Sequence, residues 1–486
     1  MRCVVGIDLG STTTKALLLG EDGKVLGRGI TNSRSSYDVA CAVAREEALT
    51  AARFSLLEGH LAELVPSGRA PGNGGGDEAA AELGRRLKEA FRLEIYLGEL
   101  GRLGQEIEAV LDMPGHEEWR PVLAPAVEEI LGRIEAAAPA LYSGSGQRKS
   151  DFFRDLAGAA YVETAEEIAG RGELPFERLL ALYDRAILAV ETRVEPLDFS
   201  RLLRRAAGRL ENGNGSGHEN GARRAELTRV VEAVAAEPIE ELAFVGTGYG
   251  RQTLPFPKES IRSEILCHGR GAHRFFPSTR TVLDIGGQDT KAIQVDGHGV
   301  VTSFQMNDRC AAGSGRYLGY LADELNLGLH ELGPLALRAT RTVRVNSTCT
   351  VFAGAELRER LALGEKREDI LAGLHRAMML RALSLLARSG GISNQFTFTG
   401  GVAKNPMATR VLSELVAENY PEGITLNIHP DSIYMGAMGA ALFALEDLEA
   451  GTGGILAGSD HPSSPRPSPR PRRGGEGAPD RAPASS

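Results

Sequence analysis

One structural plan occurs twice in this chain, once near its start and once past its middle. The segment "DLGSTTTKALLLGEDGKVLGRGIT" begins at Asp8, and "DIGGQDTKAIQVDGHGVVTSFQM" begins at Asp284. Each has an Asp and a Gly at the end of an apolar run, followed by a polar turn, Thr-Lys-Ala, an apolar strand, a Gly-containing turn and another strand. The matching residues keep a constant offset as far as Val25 and Val301. We therefore predict two homologous β-hairpins, each opening one half of an α/β protein.

The residue types in these hairpins are those that bind phosphate and magnesium. Glycine at a tight turn lets backbone N–H groups approach a phosphate without obstruction by Cβ, and Ser and Thr hydroxyls add donors. Asp8 can hold the water shell of Mg²⁺, which keeps several waters and takes few protein ligands. Asp284 could instead position an attacking water. An ordinary turn is the alternative for one hairpin alone, and no GxxxxGK[ST] motif of a P-loop NTPase occurs in the sequence.

A third Gly-rich turn lies in "FTFTGGVAKNPMATRVL", where a strand runs into two glycines and Asn405 begins a helix as its N-cap. A backbone without Cβ at this turn leaves room for a flat ring such as adenine. The candidate catalytic residues are Asp8, Asp284 and Gln288. The candidate ATP-binding residues are Gly10, Ser11, Thr12, Thr13, Lys15, Gly286, Gly287, Gly400, Gly401 and Asn405.

Net charge and segment lengths limit the classes of partner. The formal net charge of −9 argues against a general nucleic-acid binder, because phosphate backbones are held by clustered Lys and Arg. The apolar stretches are too short to span a bilayer, and the start of the chain shows no signal peptide. We therefore expect a cytoplasmic protein whose partners are small molecules or other proteins.

Two of the five cysteines stand just before predicted helices, Cys310 in "NDRCAAGSGRYL" and Cys349 in "NSTCTVFAGAEL". A helix N-terminus lowers the pKa of a thiol and favours a bound anion, and a [4Fe–4S] cluster with four thiolates is such an anion. Cys3, Cys41 and Cys267 are instead predicted to be buried small hydrophobes. Two neighbouring histidines of "EILCHGRGAH" lack paired ligands at metal spacing, so packing or hydrogen bonding is the expectation for them.

Together, "GIDLGSTTTK", "LDIGGQDTK" and "FTGGVAKN" resemble the phosphate 1, phosphate 2 and adenosine motifs of the sugar kinase, Hsp70 and actin superfamily. Within it, "TGYGRQTLPF", "EILCHGRGAHRFFP" and the two cysteine segments resemble the BadF/BadG/BcrA/BcrD ATPases. These include activators of 2-hydroxyacyl-CoA dehydratases and ATPase subunits of class I benzoyl-CoA reductase. The resemblance covers residues 1–40 and about 235–447. The long helical segment between these parts is more similar to the larger of the two ATPase subunits of ATP-dependent benzoyl-CoA reductase.

The resemblance implies a two-lobed α/β ATPase of the actin, Hsp70 and sugar-kinase type, with MgATP between the lobes. It implies that Cys310 and Cys349 ligate a [4Fe–4S] cluster shared between two subunits, and that ferredoxin reduces this cluster. Hydrolysis would move the helices behind the cysteines and drive electrons to catalytic acyl-CoA reductase subunits that reduce the ring of benzoyl-CoA. The expected partners are those subunits, ferredoxin and a homologous smaller ATPase subunit, with no nucleic acid and no membrane. A homodimeric activator of a 2-hydroxyacyl-CoA dehydratase and a small-molecule kinase without a cluster are the alternatives.

The sequence divides into four parts. Residues 1–41 and about 233–280 are predicted to form the first ATPase lobe, and 281–450 the second, with the cluster ligands and the adenosine motif. Residues 42–232 are rich in Ala, Leu, Glu and Arg with helical periodicity, which predicts a mostly helical insertion. It is either a docking surface for other subunits or a solvated helical bulge. Residues 451–486 are rich in Pro, Gly, Ser and Arg and are predicted to be disordered.

Overall fold

The computed structural model describes most of the chain, including both hairpins and the third Gly-rich turn. The described residues are 1–33, 36–64, 75–143, 150, 152–172, 174–193, 196–212, 218–248, 254–307, 313–345, 350–420 and 423–451. Cys310, Cys349 and residues 452–486 of the predicted tail lie outside them.

Two β-sheets share one strand plan. The first sheet has the order β3-β2-β1-β4 and consists of β1 (Arg2–Leu9), β2 (Thr13–Gly20), β3 (Val25–Asn32) and β4 (Glu240–Gly248). The second has the order β7-β6-β5-β8-β9 and consists of β5 (Thr281–Ile285), β6 (Thr290–Val295), β7 (Val301–Asn307), β8 (Phe396–Thr399) and β9 (Leu426–Asn427). In each sheet three antiparallel strands are followed by a parallel strand that pairs with the first of them.

The likeness of the two sheets extends to the pairing of single residues. Asp8 pairs with Lys15 across β1 and β2, and Asp284 pairs with Lys291 across β5 and β6. The β2–β3 and β6–β7 pairs are each interrupted by one register shift, at corresponding positions. Register is set by the hydrophobic pattern and the turn geometry, so both have been kept in the two copies. The predicted duplication and the two-lobed α/β class are confirmed.

Fourteen helices surround the sheets in the part of the chain that the structure describes, seven of them between β3 and β4. These seven are α1 (Tyr37–Leu64), α2 (Gly75–Leu111), α3 (Arg120–Leu141), α4 (Phe153–Ala169), α5 (Phe176–Thr192), α6 (Phe199–Asn212) and α7 (His218–Ala236). The other seven are α8 (Glu264–Phe275), α9 (Gly315–Glu324), α10 (Leu329–Ala336), α11 (Thr350–Ala362), α12 (Arg367–Ser389), α13 (Pro406–Asn419) and α14 (Met435–Glu449). Helix α8 packs against α14 and contacts strands of both sheets, so it links the two lobes.

Helix α1 belongs to two cores. Its first half packs on β3, where a Cβ at Gly27 or Gly29 would overlap the backbone of α1, so these glycines permit the close approach. Its second half, from Phe54 onward, joins an apolar core with α2, α6 and α7. A further apolar core connects α2 with α3, α4 and α5. The predicted boundary at residue 42 falls inside α1, and the division of the chain there stays a prediction.

By length and composition, α12 could cross a membrane. However, 61% of its apolar window is buried inside the protein. A buried core helix meets the same criterion, so α12 is weak evidence for a membrane span.

Candidate functional site

The polar turns of the two hairpins lie against each other. A Cβ added at Gly287, in the turn between β5 and β6, would overlap Thr12 Oγ1 and lie 3.6 Å from Ser11 Oγ. Ser11 and Thr12 belong to the turn between β1 and β2. The facing arrangement expected from the sequence is therefore present, and a side chain at position 287 would fill the space between the two turns.

Asp8 ends the first strand with a carboxylate that the described residues leave half unsatisfied. The residue is 3% exposed, and its Oδ1 has no hydrogen-bond partner among the described residues. Its Oδ2 lies 3.9 Å from Lys15 Nζ. Because a buried carboxylate oxygen without a partner is costly, this atom fits a role as acceptor from the water shell of a cation.

Lys291, the counterpart of Lys15, is held by three carboxylates. Its Nζ lies 2.9 Å from Glu264 Oε1, 3.2 Å from Asp284 Oδ2 and 2.9 Å from Asp289 Oδ1, and the residue is 1% exposed. Burial disfavours the charged amine, but the three carboxylates outweigh it and hold the pKa of Lys291 well above its usual value. The two matching lysines therefore have different roles, since Lys291 is fully engaged inside the protein.

Asp284 has partners from three different elements. Thr399 at the end of β8 donates a hydrogen bond of 2.9 Å to Asp284 Oδ1, and His268 Nδ1 on α8 lies 3.3 Å from the same atom. Burial alone would raise the pKa of Asp284, but His268 and Lys291 hold that pKa well below its usual range. Burial likewise opposes the charged form of His268, yet Asp284 keeps the pKa of this imidazole above its ordinary value. The carboxylate is therefore ionised at neutral pH.

Helix α8 brings Glu264 and His268 to the end of the first hairpin strand. One ligand atom from each of Asp8, Glu264 and His268 lies within 4.8 Å of the others. Burial raises the pKa of Glu264, although Lys291 opposes the rise. The set combines two carboxylates with the unsatisfied oxygen of Asp8, so the residues present fit a hard divalent cation such as Mg²⁺.

The third turn closes over the second sheet. Gly400 has φ of +86°, and a Cβ there would overlap Ile285 O and lie 3.0 Å from Asp284 Oδ1. Its N–H donates to Ser432 O at 3.2 Å. Only a glycine tolerates both the left-handed backbone and this contact, so the turn is fixed directly beside the Asp284 carboxylate.

Asn405 is the N-cap of α13, as predicted. Its Oδ1 accepts hydrogen bonds from the N–H groups of Met407 and Ala408, at 3.0 and 3.1 Å. Its Nδ2 donates to His375 Nε2 at 3.1 Å, and His375 Nδ1 donates to Leu371 O at 2.7 Å. Burial lowers the pKa of His375 to about 4, so the ring is neutral and can accept. Both polar atoms of the Asn405 amide therefore have partners within the protein.

The other predicted nucleotide residues lie in or beside the same three turns. Gln288 is partly exposed between β5 and β6, next to Asp289. The remaining members are Gly10, Thr13, Lys15, Gly286 and Gly401. Their assignment to ATP stays a prediction.

The cysteines separate as expected wherever they are described. Cys3, Cys41 and Cys267 are buried, and burial raises the pKa of each thiol to about 12, so all three are inert small hydrophobes. Cys310 and Cys349 are outside the described residues, and their ligand role stays a prediction. The predicted helices after them are present, since α9 begins at Gly315 and α11 at Thr350.

Sequence reasoning missed the residues that surround Asp284. Glu264 and His268 are four residues apart in "EILCHGRGAH" and therefore share a face of α8. That spacing was an available signal for a joint role, and His268 contacts the site rather than merely packing. Asp289 and Thr399 directly adjoin predicted residues, but only the tertiary structure brings them to the same carboxylate cluster.

Comparisons with known proteins place these motifs in a wider context. The profile described as "BadF/BadG/BcrA/BcrD ATPase family" matches residues 5–444. The (R)-2-hydroxyglutaryl-CoA dehydratase activating ATPase of Acidaminococcus fermentans is 42% identical over 206 residues, which are 42% of this chain and 76% of that protein. One of the benzoyl-CoA reductase subunits of Thauera aromatica is 34% identical over 208 residues, which are 43% of this chain and 72% of that protein. The crystal structure of component A of the Acidaminococcus fermentans (R)-2-hydroxyglutaryl-CoA dehydratase aligns with a TM-score of 0.49 and 22% identity, covering 92% of this chain and 100% of that one.

Proposed function

The chain belongs to the BadF/BadG/BcrA/BcrD ATPase family, and from this premise we propose that it hydrolyses MgATP between the two hairpin turns to drive electrons towards a CoA-ester enzyme. One observation carries the nucleotide assignment. The unsatisfied oxygen of Asp8 lies at the end of its strand, beside two turns that only small residues allow to meet.

The described residues divide the work at this site. When bound, Mg²⁺ neutralises phosphate oxygens and orients them. Asp8 accepts from the water shell of the cation, and the N–H groups of both turns face the phosphates. Lys15 is the lysine available for phosphate, because Lys291 is engaged by three carboxylates. Asp284 is held ionised with a low pKa, so it orients water or holds Lys291 and is a poor proton acceptor.

The electron-transfer part of the proposal depends on Cys310 and Cys349. We propose that these thiolates, with their counterparts from a second subunit, bind one [4Fe–4S] cluster, which supplies one-electron chemistry when bound. Helices α9 and α11, which begin just after the two cysteines, then connect the cluster segments to the second lobe. Reduced ferredoxin is the proposed donor, and the cytoplasm is the proposed location.

Two electron acceptors are supported by different observations. The long helical region between β3 and β4, together with the similarity to one of the Thauera aromatica benzoyl-CoA reductase subunits, favours an ATPase component of a benzoyl-CoA reductase. Such a component would pair with a homologous smaller ATPase and with catalytic acyl-CoA reductase subunits. The 42% identity to a dehydratase activating ATPase favours a homodimeric activator of a 2-hydroxyacyl-CoA dehydratase instead. A cluster-free kinase has no such support.

Anaerobic purification of the chain from its native host should separate these assignments. For the reductase component, we expect a brown complex that contains a second, smaller ATPase chain and shows ATP-dependent reduction of benzoyl-CoA with reduced ferredoxin. A homodimer that carries a cluster and activates a dehydratase by itself would contradict the reductase assignment. A colourless protein that phosphorylates a small alcohol would contradict both.

Gly436→Ala should strongly impair ATP hydrolysis. Gly436 lies in the first turn of α14, and an added Cβ would come 2.7 Å from Asp8 Oδ2 and 2.9 Å from His268 Nε2. The methyl group must displace the carboxylate, and misplacing a catalytic group by about 1 Å can cost about 10²-fold in rate. Steady-state ATPase assays would measure this loss. Gly319→Ala on α9, where an added Cβ meets nothing within 4 Å, should leave the rate unchanged, and equal rates for both variants would contradict the placement of Asp8.

A further inference from the structure

Thr290 of the second hairpin holds both ends of the segment that carries Cys310. Its hydroxyl donates a buried hydrogen bond of 2.6 Å to Gly313 O. Across the β6–β7 ladder, Thr290 itself is paired with Asn307. Residues 307 and 313 are the described residues on either side of the segment 308–312, and Cys310 is the middle residue of that segment. One buried residue, 3% exposed, is therefore connected to the chain before and after the cysteine.

The second phosphate turn is also bonded directly to the start of α9. The N–H of Gly315 donates to Gly286 O at 2.8 Å, and the N–H of Arg316 donates to Gly287 O at 2.7 Å. Together with the Thr290 hydroxyl, three hydrogen bonds join the hairpin to residues 313–316. Three residues of polypeptide span at most about 11 Å, so a displacement of Gly313 acts on Cys310 through a short piece of chain.

The first hairpin lacks the corresponding connection. Thr14 occupies the position equivalent to Thr290, but its hydroxyl lies 3.0 Å from Ser33 Oγ, next to the end of β3. The hydroxyl of Ser33 in turn donates to Gly10 O in the same hairpin. In one copy the threonine therefore closes its own hairpin, and in the other it reaches out to the cysteine segment. This difference arose within an otherwise shared register.

We propose that Thr290 is a positioning residue that transmits the nucleotide state of the second phosphate turn to the segment carrying Cys310. The inference rests on the proposed function, because it requires a cluster at Cys310 and ATP at the hairpins. The buried hydroxyl and the Gly313 carbonyl have to stay paired, so movement of the turn on hydrolysis moves the cysteine segment with it. Since the potential of a cluster follows its hydrogen bonding and solvent exposure, this link couples hydrolysis to electron transfer.

The test compares ATP hydrolysis with nucleotide-dependent exposure of the cluster in the anaerobically purified complex. The rate at which a ferrous chelator extracts iron is measured with ATP and with ADP, alongside the ATPase rate. In the wild type we expect the extraction rate to depend on the nucleotide. Thr290→Val should reduce that dependence about tenfold, a size usual for coupling between two sites, while ATP hydrolysis continues. A merely structural role would alter both readouts together.

Two further variants control the result. Thr302→Val removes a hydroxyl from an exposed position on β7 and should leave the nucleotide dependence intact. Thr290→Ser keeps the hydroxyl and should restore it, whereas Thr290→Ala should not, and this pair decides the question if the valine variant does not fold. Normal nucleotide dependence in Thr290→Val or Thr290→Ala overturns the inference alone. A wild-type protein without iron overturns the proposed function and the inference with it.

Discussion

Cys310→Ala and Cys349→Ala should each abolish cluster binding, taking the complex from about four iron atoms per pair of subunits to nearly none. One chain supplies two thiolates, so each substitution removes a ligand that the described cysteines cannot replace. Cys3, Cys41 and Cys267 are buried thiols whose pKa is raised to about 12. Iron and acid-labile sulfide analysis after anaerobic purification measures the loss, and the brown colour should disappear with it.

Cys41→Ala is the matched control for these two substitutions. It removes a thiol from the core under the first sheet, and we expect full iron content with a small loss of stability. ATP hydrolysis should persist in all three variants, because the hairpins stay intact. If either of the two ligand variants kept its iron, the bridging-cluster assignment would have to be given up.

The second large effect is expected from Lys291→Met. This change keeps the length of the side chain but leaves Glu264, Asp284 and Asp289 without their shared cation. Breaking a buried ion pair by removing one partner costs about 3–5 kcal/mol, so the free energy of unfolding should fall by about that amount. Urea unfolding followed by circular dichroism would measure it. Lys15→Met in the other hairpin should cost less than about 1 kcal/mol, and an equal loss for both would contradict the different roles of the two lysines.

The pH dependence of stability should change with the same substitution. In the wild type the pKa of Asp284 is held below its ordinary 3.8, so its contribution is fully present above that pH and is lost on strong acidification. Without Lys291 the pKa of all three carboxylates should rise. Acid unfolding of Lys291→Met should therefore begin at a higher pH than that of the wild type. Midpoints of acid titrations recorded by circular dichroism would reveal the shift.

The parts of the fold that could be predicted are those encoded in local patterns. The hairpins repeat their turn glycines and Thr-Lys-Ala segments, and the structure confirms them with the same Asp–Lys pairing. The N-cap at Asn405 and the helices behind the two cysteines follow from equally local signals. Local signals suffice here because the residues that determine each element lie within a few positions of one another.

The environment of Asp284 could not be predicted, because it depends on chain segments far apart in sequence. Glu264 and His268 reach the site only through the packing of α8 against both sheets. Lys15 and Lys291 occupy equivalent motif positions, yet their surroundings differ because α8 supplies a carboxylate to only one of them within 4 Å. The sequence motif therefore identifies the pair, and the tertiary contacts decide which lysine is free for a ligand.

Helix α1 has a mechanical consequence for the assembled enzyme. Its 28 residues form one rod of about 42 Å. One end is fixed on β3, and the other is embedded in the core formed with α2, α6 and α7. Such a rod carries torque without an intervening hinge. A protein that grips the far end would thus turn the first hairpin's sheet directly, and rotation of that sheet during a catalytic cycle would swing the helical region like a lever arm.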